Sequence, residues 1–167
     1  MAAGNEPPVQ SVKNVDLASI PAVSMPGLIS LNAKRAKIQQ AYGKLWIDNN
    51  LDAIISPGAP TTATPLDKWD SITYTMLWNF MDYPTCIIPV DCVQSSDVVD
   101  SISQAINGER DEHNYLMYTG PEAYVNAALS VQVVGMRQED ERLAQIVCQV
   151  DKILNTKHTK EHTSPML

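Results

Sequence analysis

The chain has 167 residues, enough for one domain. It carries 19 acidic residues against 12 Lys and Arg, a formal net charge of −7. That balance argues against a nucleic-acid binder, because such proteins present a basic surface. Hydrophobic residues make up 44% of the sequence, enough for a core, yet no segment is long and apolar enough to span a bilayer. Three cysteines make no disulfide framework, so we expect a soluble, cytoplasmic protein.

The N-terminal region is rich in residues that interrupt regular structure. It contains Pro7, Pro8, Pro21 and Pro26. We therefore predict an irregular arm over residues 1–27, with a short apolar anchor formed by Leu17, Ile20 and Val23. Residues 28–155 are predicted to form the folded domain, and residues 156–167 a polar tail.

The first regular elements are predicted to be a helix and a buried strand. Residues 30–49 show helical periodicity with Ser30 as the N-cap. The predicted buried face of this helix consists of Leu31, Ile38, Tyr42 and Leu45. The short apolar run of residues 51–56 ends at Pro57, a pattern typical of a strand in a parallel sheet flanked by helices.

The rest of the chain continues the alternation of helices and strands. We predict a helix over 71–81, a strand over 85–90, a short helix over 97–106, a strand over 129–134 and a helix over 139–154. Buried strands that alternate with amphipathic helices indicate the α/β class. The expected architecture is a layered αβα domain, with a small mixed sheet of about three to five strands flanked by amphipathic helices.

Common catalytic signatures are absent from the sequence. It has no Gly-x-Ser-x-Gly elbow, no Ser-x-x-Lys and no glycine-rich phosphate loop. Cys86 and Cys92 would share a face of an unbroken strand, and His113 could serve a thiolate, but nothing nearby lowers a thiol pKa. His158 and His162 have metal-ligand spacing without a third ligand. We therefore expect neither a metal nor a cofactor.

Aromatic residues concentrate in one short segment. Trp69, Tyr74, Trp78, Phe80 and Tyr83 lie within fifteen residues of one another. They could form the packed side of one helix, or line an apolar pocket in which neighbouring Thr and Asn side chains supply polar contacts. Both interpretations remain open at this point.

Several ordered segments resemble one enzyme family. They are Asn32–Trp46 (NAKRAKIQQAYGKLW), Leu51–Pro57 (LDAIISP), Tyr74–Pro84 (YTMLWNFMDYP), Ile87–Val90 (IIPV), Asn126–Gly135 (NAALSVQVVG) and Glu139–Leu143 (EDERL). Together they resemble the C-terminal portion of the fungal acetamidase branch of the amidase signature family. The resemblance runs in order from about residue 28 to about residue 155.

The resemblance implies an αβα fold and the hydrolysis of carboxylic amides. Family members use a Ser nucleophile, a second Ser in a cis peptide and a Lys base, all from an N-terminal portion that this sequence does not match. We therefore expect a truncated homologue that is not an autonomous amidase. Only pocket-wall positions carry over from the family, namely Thr75, Leu77 and Trp78.

Two further hypotheses stay open. The chain could be a repurposed cyclase or isomerase of fungal secondary metabolism that binds an apolar small molecule in an aromatic-lined pocket. Its polar candidates are then Tyr74, Asp82, His113 and Tyr118. Alternatively, apolar surface that lacks its covering elements could mark an interaction module, either a homodimer or a complex with an amidase-like partner.

Overall fold

The computed structural model describes residue 7 and residues 9–16 and 19–156. The elements, in chain order, are α1 (Gln10–Val15), α2 (Met25–Asp48), β1 (Ile54–Pro57), α3 (Thr73–Met81), β2 (Thr85–Cys92), a 3₁₀ turn (Ile102–Gln104), α4 (Glu109–Met117), α5 (Pro121–Tyr124), β3 (Ala128–Val134) and α6 (Asp140–Asn155). The predicted α/β class is confirmed. No described helix is long and apolar enough to cross a membrane.

The described strands form one antiparallel sheet in the order β1-β3-β2. Val134 of β3 lies opposite both Ile54 of β1 and Thr85 of β2. Strands β1 and β2 therefore run in the same direction, with β3 between them. The sequence predicted a mixed sheet, but every neighbouring pair here is antiparallel. No parallel pair forms among the described strands, because β3 separates the two strands that run in the same direction.

Helices cover both faces of the sheet, as the predicted αβα layering requires. Adjacent residues of a strand point to opposite faces, so Val134 and Val133 belong to different layers. Val134 packs with Trp46, Trp78, Met81 and Tyr83 beneath α2 and α3. Val133 packs with Ile88 and with Leu143 of α6. The core therefore consists of two apolar layers separated by the sheet.

The N-terminal region is more regular than predicted. Residues 10–15 form a helix, and α2 begins at Met25, before the predicted start. Ser24, not Ser30, is the N-cap, because its hydroxyl accepts a hydrogen bond from the Gly27 amide and a proline follows within the first turn. Ile20 and Val23 are 63% and 50% exposed, so neither forms a buried apolar anchor. Leu17 lies outside the described residues, as do residues 157–167 with both tail histidines.

The buried face of α2 differs from the predicted one. Leu31, Ile38 and Leu45 are 50%, 41% and 49% exposed. The face turned toward α3 carries polar side chains instead: Arg35 Nε donates to the Phe80 carbonyl at 2.5 Å, and Gln39 Nε2 to the Met81 carbonyl at 2.8 Å. Trp46 and Tyr42 complete this face. The prediction is confirmed for Tyr42 and wrong for Leu31, Ile38 and Leu45, because these three residues lie beside the packed side of the helix and not on it.

The middle of the chain also departs from the prediction. Only a 3₁₀ turn forms in the segment expected to hold a helix over 97–106. A helix that the sequence did not predict, α4, follows at Glu109–Met117. Gly108 precedes it with φ of 95°, and acidic residues fill its first turn, which suits the positive end of the helix dipole. Its composition is too polar to give an apolar periodicity, so the pattern missed it.

The closing elements agree with the sequence. The predicted helix over 139–154 is α6, which begins with Asp140 and Glu141 and buries Leu143. Gly135 ends β3 and lies against α6, since a Cβ added there would stand 2.8 Å from the Cβ of Leu143. This close approach explains why β3 is followed by a residue without a side chain.

Candidate functional site

Helix α4 lies between two cavities whose linings differ in charge. The acidic cavity has a volume of about 590 Å³. It is lined by Pro60, Thr61, Thr62, Tyr74, Val93, Asp97, Val98, Asp100, Asp111, Asn114, Tyr115, Tyr118 and Leu129. The basic cavity has a volume of about 630 Å³. It is lined by Ala63, Thr64, Pro65, Lys68, His113, Leu116, Met117, Thr119, Ala123, Tyr124, Val125 and Ala127.

The helical period of α4 explains this separation. Asp111, Asn114 and Tyr115 lie three and four residues apart and face the acidic cavity. His113 and Leu116 lie on the other side and face the basic cavity. One short polar helix therefore supplies a wall to each cavity.

The structure brings two of the predicted polar candidates together. Tyr74 from α3 and Tyr118 from the end of α4 both line the acidic cavity. Burial, followed by the carboxylates of Asp97 and Asp100 and the neighbouring Tyr124, raises the pKa of Tyr118 above its usual value. The phenol therefore stays protonated at neutral pH, which makes it a hydrogen-bond donor and not a base.

The acidic cavity also contains an unpaired acceptor. Asn114 Oδ1 is fully buried and accepts no hydrogen bond from the described part of the chain. A buried carbonyl oxygen without a partner costs free energy, so Asn114 lowers the stability of this part of the fold. Nothing in the sequence pattern distinguished this residue from its polar neighbours.

His113 holds a loop against α4. Its Nε2 lies 3.2 Å from Asp70 Oδ2, and Arg110 Nη2 donates to the Asp70 carbonyl at 3.1 Å. The same loop is held from the other side by Asn14, whose Nδ2 donates to the carbonyls of Asp67 and Trp69. His113 therefore lies apart from Tyr74 and Tyr118, with its imidazole facing a carboxylate and not a thiol.

Asp82 and Trp78 lie together, away from both cavities. They line a small cavity of about 280 Å³ near the end of α3. Asp82 pairs with Arg137, with Nε and Oδ2 2.9 Å apart. The Trp78 ring is buried against Tyr42 and Tyr83, at centroid distances of 6.4 and 6.1 Å. Trp78 is therefore a packing residue in this structure, in line with the packing interpretation of the aromatic segment.

The other two family-derived positions lie on different sides of α3. Thr75 donates its hydroxyl to the Ile72 carbonyl and lines a groove of about 250 Å³ between α1 and α3. Leu77 is partly exposed on the helix surface. Thr75, Leu77 and Trp78 therefore do not converge on one cavity in the described part of the chain.

The cysteines do not form a reactive pair. Cys86 lies opposite Val133 and Cys92 opposite Ala128, and an irregularity between Pro89 and Asp91 separates the two pairings. The bulge shifts the alternation by one residue, so the thiols lie on opposite faces, where an unbroken strand would have placed them on one. The described residues contain no group of three potential metal ligands.

Comparison with known proteins gives a consistent family. Residues 21–144 match the sequence pattern of the family described as Amidase. The chain is 28% identical over 168 residues to an acetamidase of Emericella nidulans, covering 92% of this chain and 29% of that protein. It is 32% identical over 136 residues to an amidase of Gibberella zeae, covering 74% of this chain and 25% of that protein.

A solved structure shows the same fold. Fatty acid amide hydrolase superposes with a TM-score of 0.77 over 90% of this chain and 27% of its own, at 22% sequence identity. In each of these comparisons the chain spans less than a third of its relative's length.

Proposed function

The chain belongs to the amidase family, and on that basis we propose that these 167 residues form the C-terminal part of an amidase fold and do not hydrolyse amides on their own. The short coverage of the relatives supports this proposal, as does the absence of a Gly/Ser-rich signature from the sequence. In this function the chain supplies a wall of the substrate channel to catalytic residues that come from elsewhere.

The observation that carries the proposal is the uncovered apolar strip of α2. Leu31, Ile38 and Leu45 recur every seven residues, which places them along one side of the helix. Each is between 41% and 50% exposed, although the polar face beside them packs on α3. An apolar strip next to a packed face favours a second covering element.

Other exposed surfaces of the domain also support the proposal. Met76 and Phe80, one turn apart on α3, are also exposed. Within the described residues, β1 and β2 each pair only with β3, so the outer edge of each strand has no hydrogen-bonded neighbouring strand. Open strand edges and apolar helix sides are what a fragment of a larger layered fold presents.

An amidase assay tests the first part of the proposal. We expect the purified chain to release no ammonia from acetamide, benzamide or longer aliphatic amides above the buffer rate. Sustained turnover that co-purifies with the folded chain would refute it.

A reconstitution experiment tests the second part. We expect the chain to form a stable complex with the remaining, N-terminal part of an acetamidase, and amide hydrolysis to appear only in the complex. Replacing Leu31, Ile38 and Leu45 by Gln should weaken that complex. Replacing Ile29 and Ile47 by Gln is the matched control, because these residues are also apolar and exposed, at 63% and 69%, but lie on the opposite side of α2. If both variants weaken the complex equally, the strip has no specific role in forming it.

Sedimentation of the chain alone separates this proposal from a homodimer. A dimer that dissociates in the strip variant, together with no complex formation, would make the strip a self-association surface and overturn the assignment. A monomer that binds the N-terminal part supports it.

One observation favours a second candidate, a repurposed cyclase or isomerase. Tyr74 and Tyr118 line one cavity of about 590 Å³, where two phenols could position and protonate an apolar substrate. Calorimetry with apolar ligands tests this candidate. Binding that Tyr74→Phe and Tyr118→Phe both weaken would support it, and a folded chain that binds none of the ligands would eliminate it.

A further inference from the structure

The basic cavity combines a mostly apolar lining with one exposed lysine, Lys68, which lies between Asp67 and Asp70 in the sequence. Lys68 lines it, and no carboxylate of the described ranges lies within ion-pair distance of this lysine. His113 also lines it, but its imidazole faces Asp70 at 3.2 Å, so any positive charge there is already compensated. The lining itself contains no carboxylate, in a chain with a net charge of −7.

We propose that the basic cavity binds an apolar carboxylic acid, with Lys68 contacting the carboxylate and the neighbouring apolar side chains covering the hydrocarbon part. The inference is independent of amide hydrolysis, because a chain without catalytic activity would still bind such a ligand.

The backbone of the loop that carries Lys68 is held by hydrogen bonds. The Lys68 amide donates to the Pro65 carbonyl at 3.1 Å, which closes a turn. Asn14 donates to the carbonyls on either side of it, those of Asp67 and Trp69, at 3.2 and 3.3 Å. A backbone held on both sides lowers the ordering cost of bringing the ammonium to a ligand.

The apolar part of the lining is available to a ligand. Leu116 is 67% exposed and Val125 is 54% exposed, although both belong to the cavity. Covering them removes apolar surface from water, which favours binding. A volume of about 630 Å³ is in the range of small-molecule sites.

Tyr124 contributes its ring to the lining of the cavity. Tyr124 is buried, and its hydroxyl donates to the Met117 carbonyl at 2.5 Å. Its ring also lies 5.1 Å from that of Tyr118. Since the hydroxyl already donates to the Met117 carbonyl, Tyr124 contributes an apolar surface and no donor for the carboxylate.

Long-range repulsion does not reverse this preference. Exposed charges separated by more than about 8 Å are largely screened at physiological ionic strength, so only acidic residues close to Lys68 affect the ligand, and the carboxylate of one of these, Asp70, is already held 3.2 Å from His113 Nε2. The acidic cavity on the other side of α4 has the opposite preference, because Asp97, Asp100 and Asp111 line it. A ligand's charge should therefore decide which side of α4 it occupies.

Three probes with one hydrocarbon tail test the proposal: 4-phenylbutyrate, 4-phenylbutanamide and 4-phenylbutylamine. We expect calorimetry to show that the carboxylate binds at least about tenfold more tightly than the amide, the lower end of what a charged hydrogen bond contributes. Amide-resonance shifts in NMR spectra should map the carboxylate to Lys68, Leu116 and Val125.

Variants at the lysine complete the test. We expect Lys68→Met to weaken carboxylate binding about tenfold and Lys68→Arg to retain it. Lys34→Met, at an exposed lysine on α2, is the matched control and should change nothing. Circular dichroism confirms that each variant is folded. Equal binding of the three probes, preference for the amine, or unchanged affinity in Lys68→Met would each overturn the proposal.

Discussion

Two neighbouring residues of α2 should respond very differently to truncation. Trp46 is 5% exposed and Ile47 is 69% exposed, although they are adjacent in the sequence. The Trp46 ring lies 5.7 Å from that of Tyr83 and packs against Trp78 and Met81 in the layer beneath α2 and α3. Trp46→Ala removes a large ring and leaves a cavity that its neighbours fill only in part, which costs about 3–5 kcal/mol. Ile47→Ala should change stability by about 0.5 kcal/mol or less.

Urea denaturation followed by far-UV circular dichroism measures this difference without depending on tryptophan fluorescence. With an m value of about 2 kcal/mol/M, the Trp46→Ala midpoint should fall by about 2 M. That loss is a large part of the total stability of about 5–15 kcal/mol that is usual for a domain. If Trp46→Ala does not fold, Trp46→Phe provides the smaller step. Equal effects at the two positions would show that α2 does not pack through the face that carries Trp46.

Three further substitutions test other parts of the structure. Gly135→Ala should cost about 1–3 kcal/mol in urea denaturation, because its Cβ would lie 2.8 Å from the Cβ of Leu143, and a neutral effect would contradict this packing. Gly43 lies in the interior of α2, and a Cβ added there would have its nearest contact at 3.9 Å. Gly43→Ala should therefore stabilise the fold by about 0.5–1 kcal/mol, and a loss of stability would mean that less space surrounds Gly43 than the structure shows. Tyr118 has a raised pKa in the folded state. Its contribution to the free energy of unfolding is therefore fully present below the usual value of 10.0 and is lost as the pH rises through the folded pKa. Tyr118→Phe should therefore flatten the loss of stability measured as the pH rises above 10.0, and an unchanged slope would refute the shift.

The sequence predicted the elements of the core and misplaced one helix face. The strand of residues 129–134 and the helix of residues 139–154 were predicted almost to the residue, because their apolar periodicity corresponds to buried positions such as Val133 and Leu143. The face of α2 was wrong because Leu31, Ile38 and Leu45 lie beside, not on, the side that packs. Periodicity shows where apolar residues lie on a helix, but it does not show which neighbour covers them.

The candidate site, too, could be predicted from the sequence only in part. Tyr74 and Tyr118 could be selected from the sequence as polar residues near aromatic ones, but their shared cavity depends on how α3 and α4 are placed. Helix α4 itself has too few apolar residues to be predicted from periodicity. Lys68 and Asn114 carried no signal at all, because the significance of a lone lysine or asparagine comes from what surrounds it.

The sequence by itself determined the α/β class, the order of the main elements and the relationship to amidases, since these depend on local apolar patterns and on strings of residues in order. The tertiary structure alone decided the antiparallel pairing of the strands, the exposed strip of α2 and the opposite charges of the two cavities beside α4. These features depend on contacts between residues far apart in the chain, and such contacts are fixed only when the layers pack.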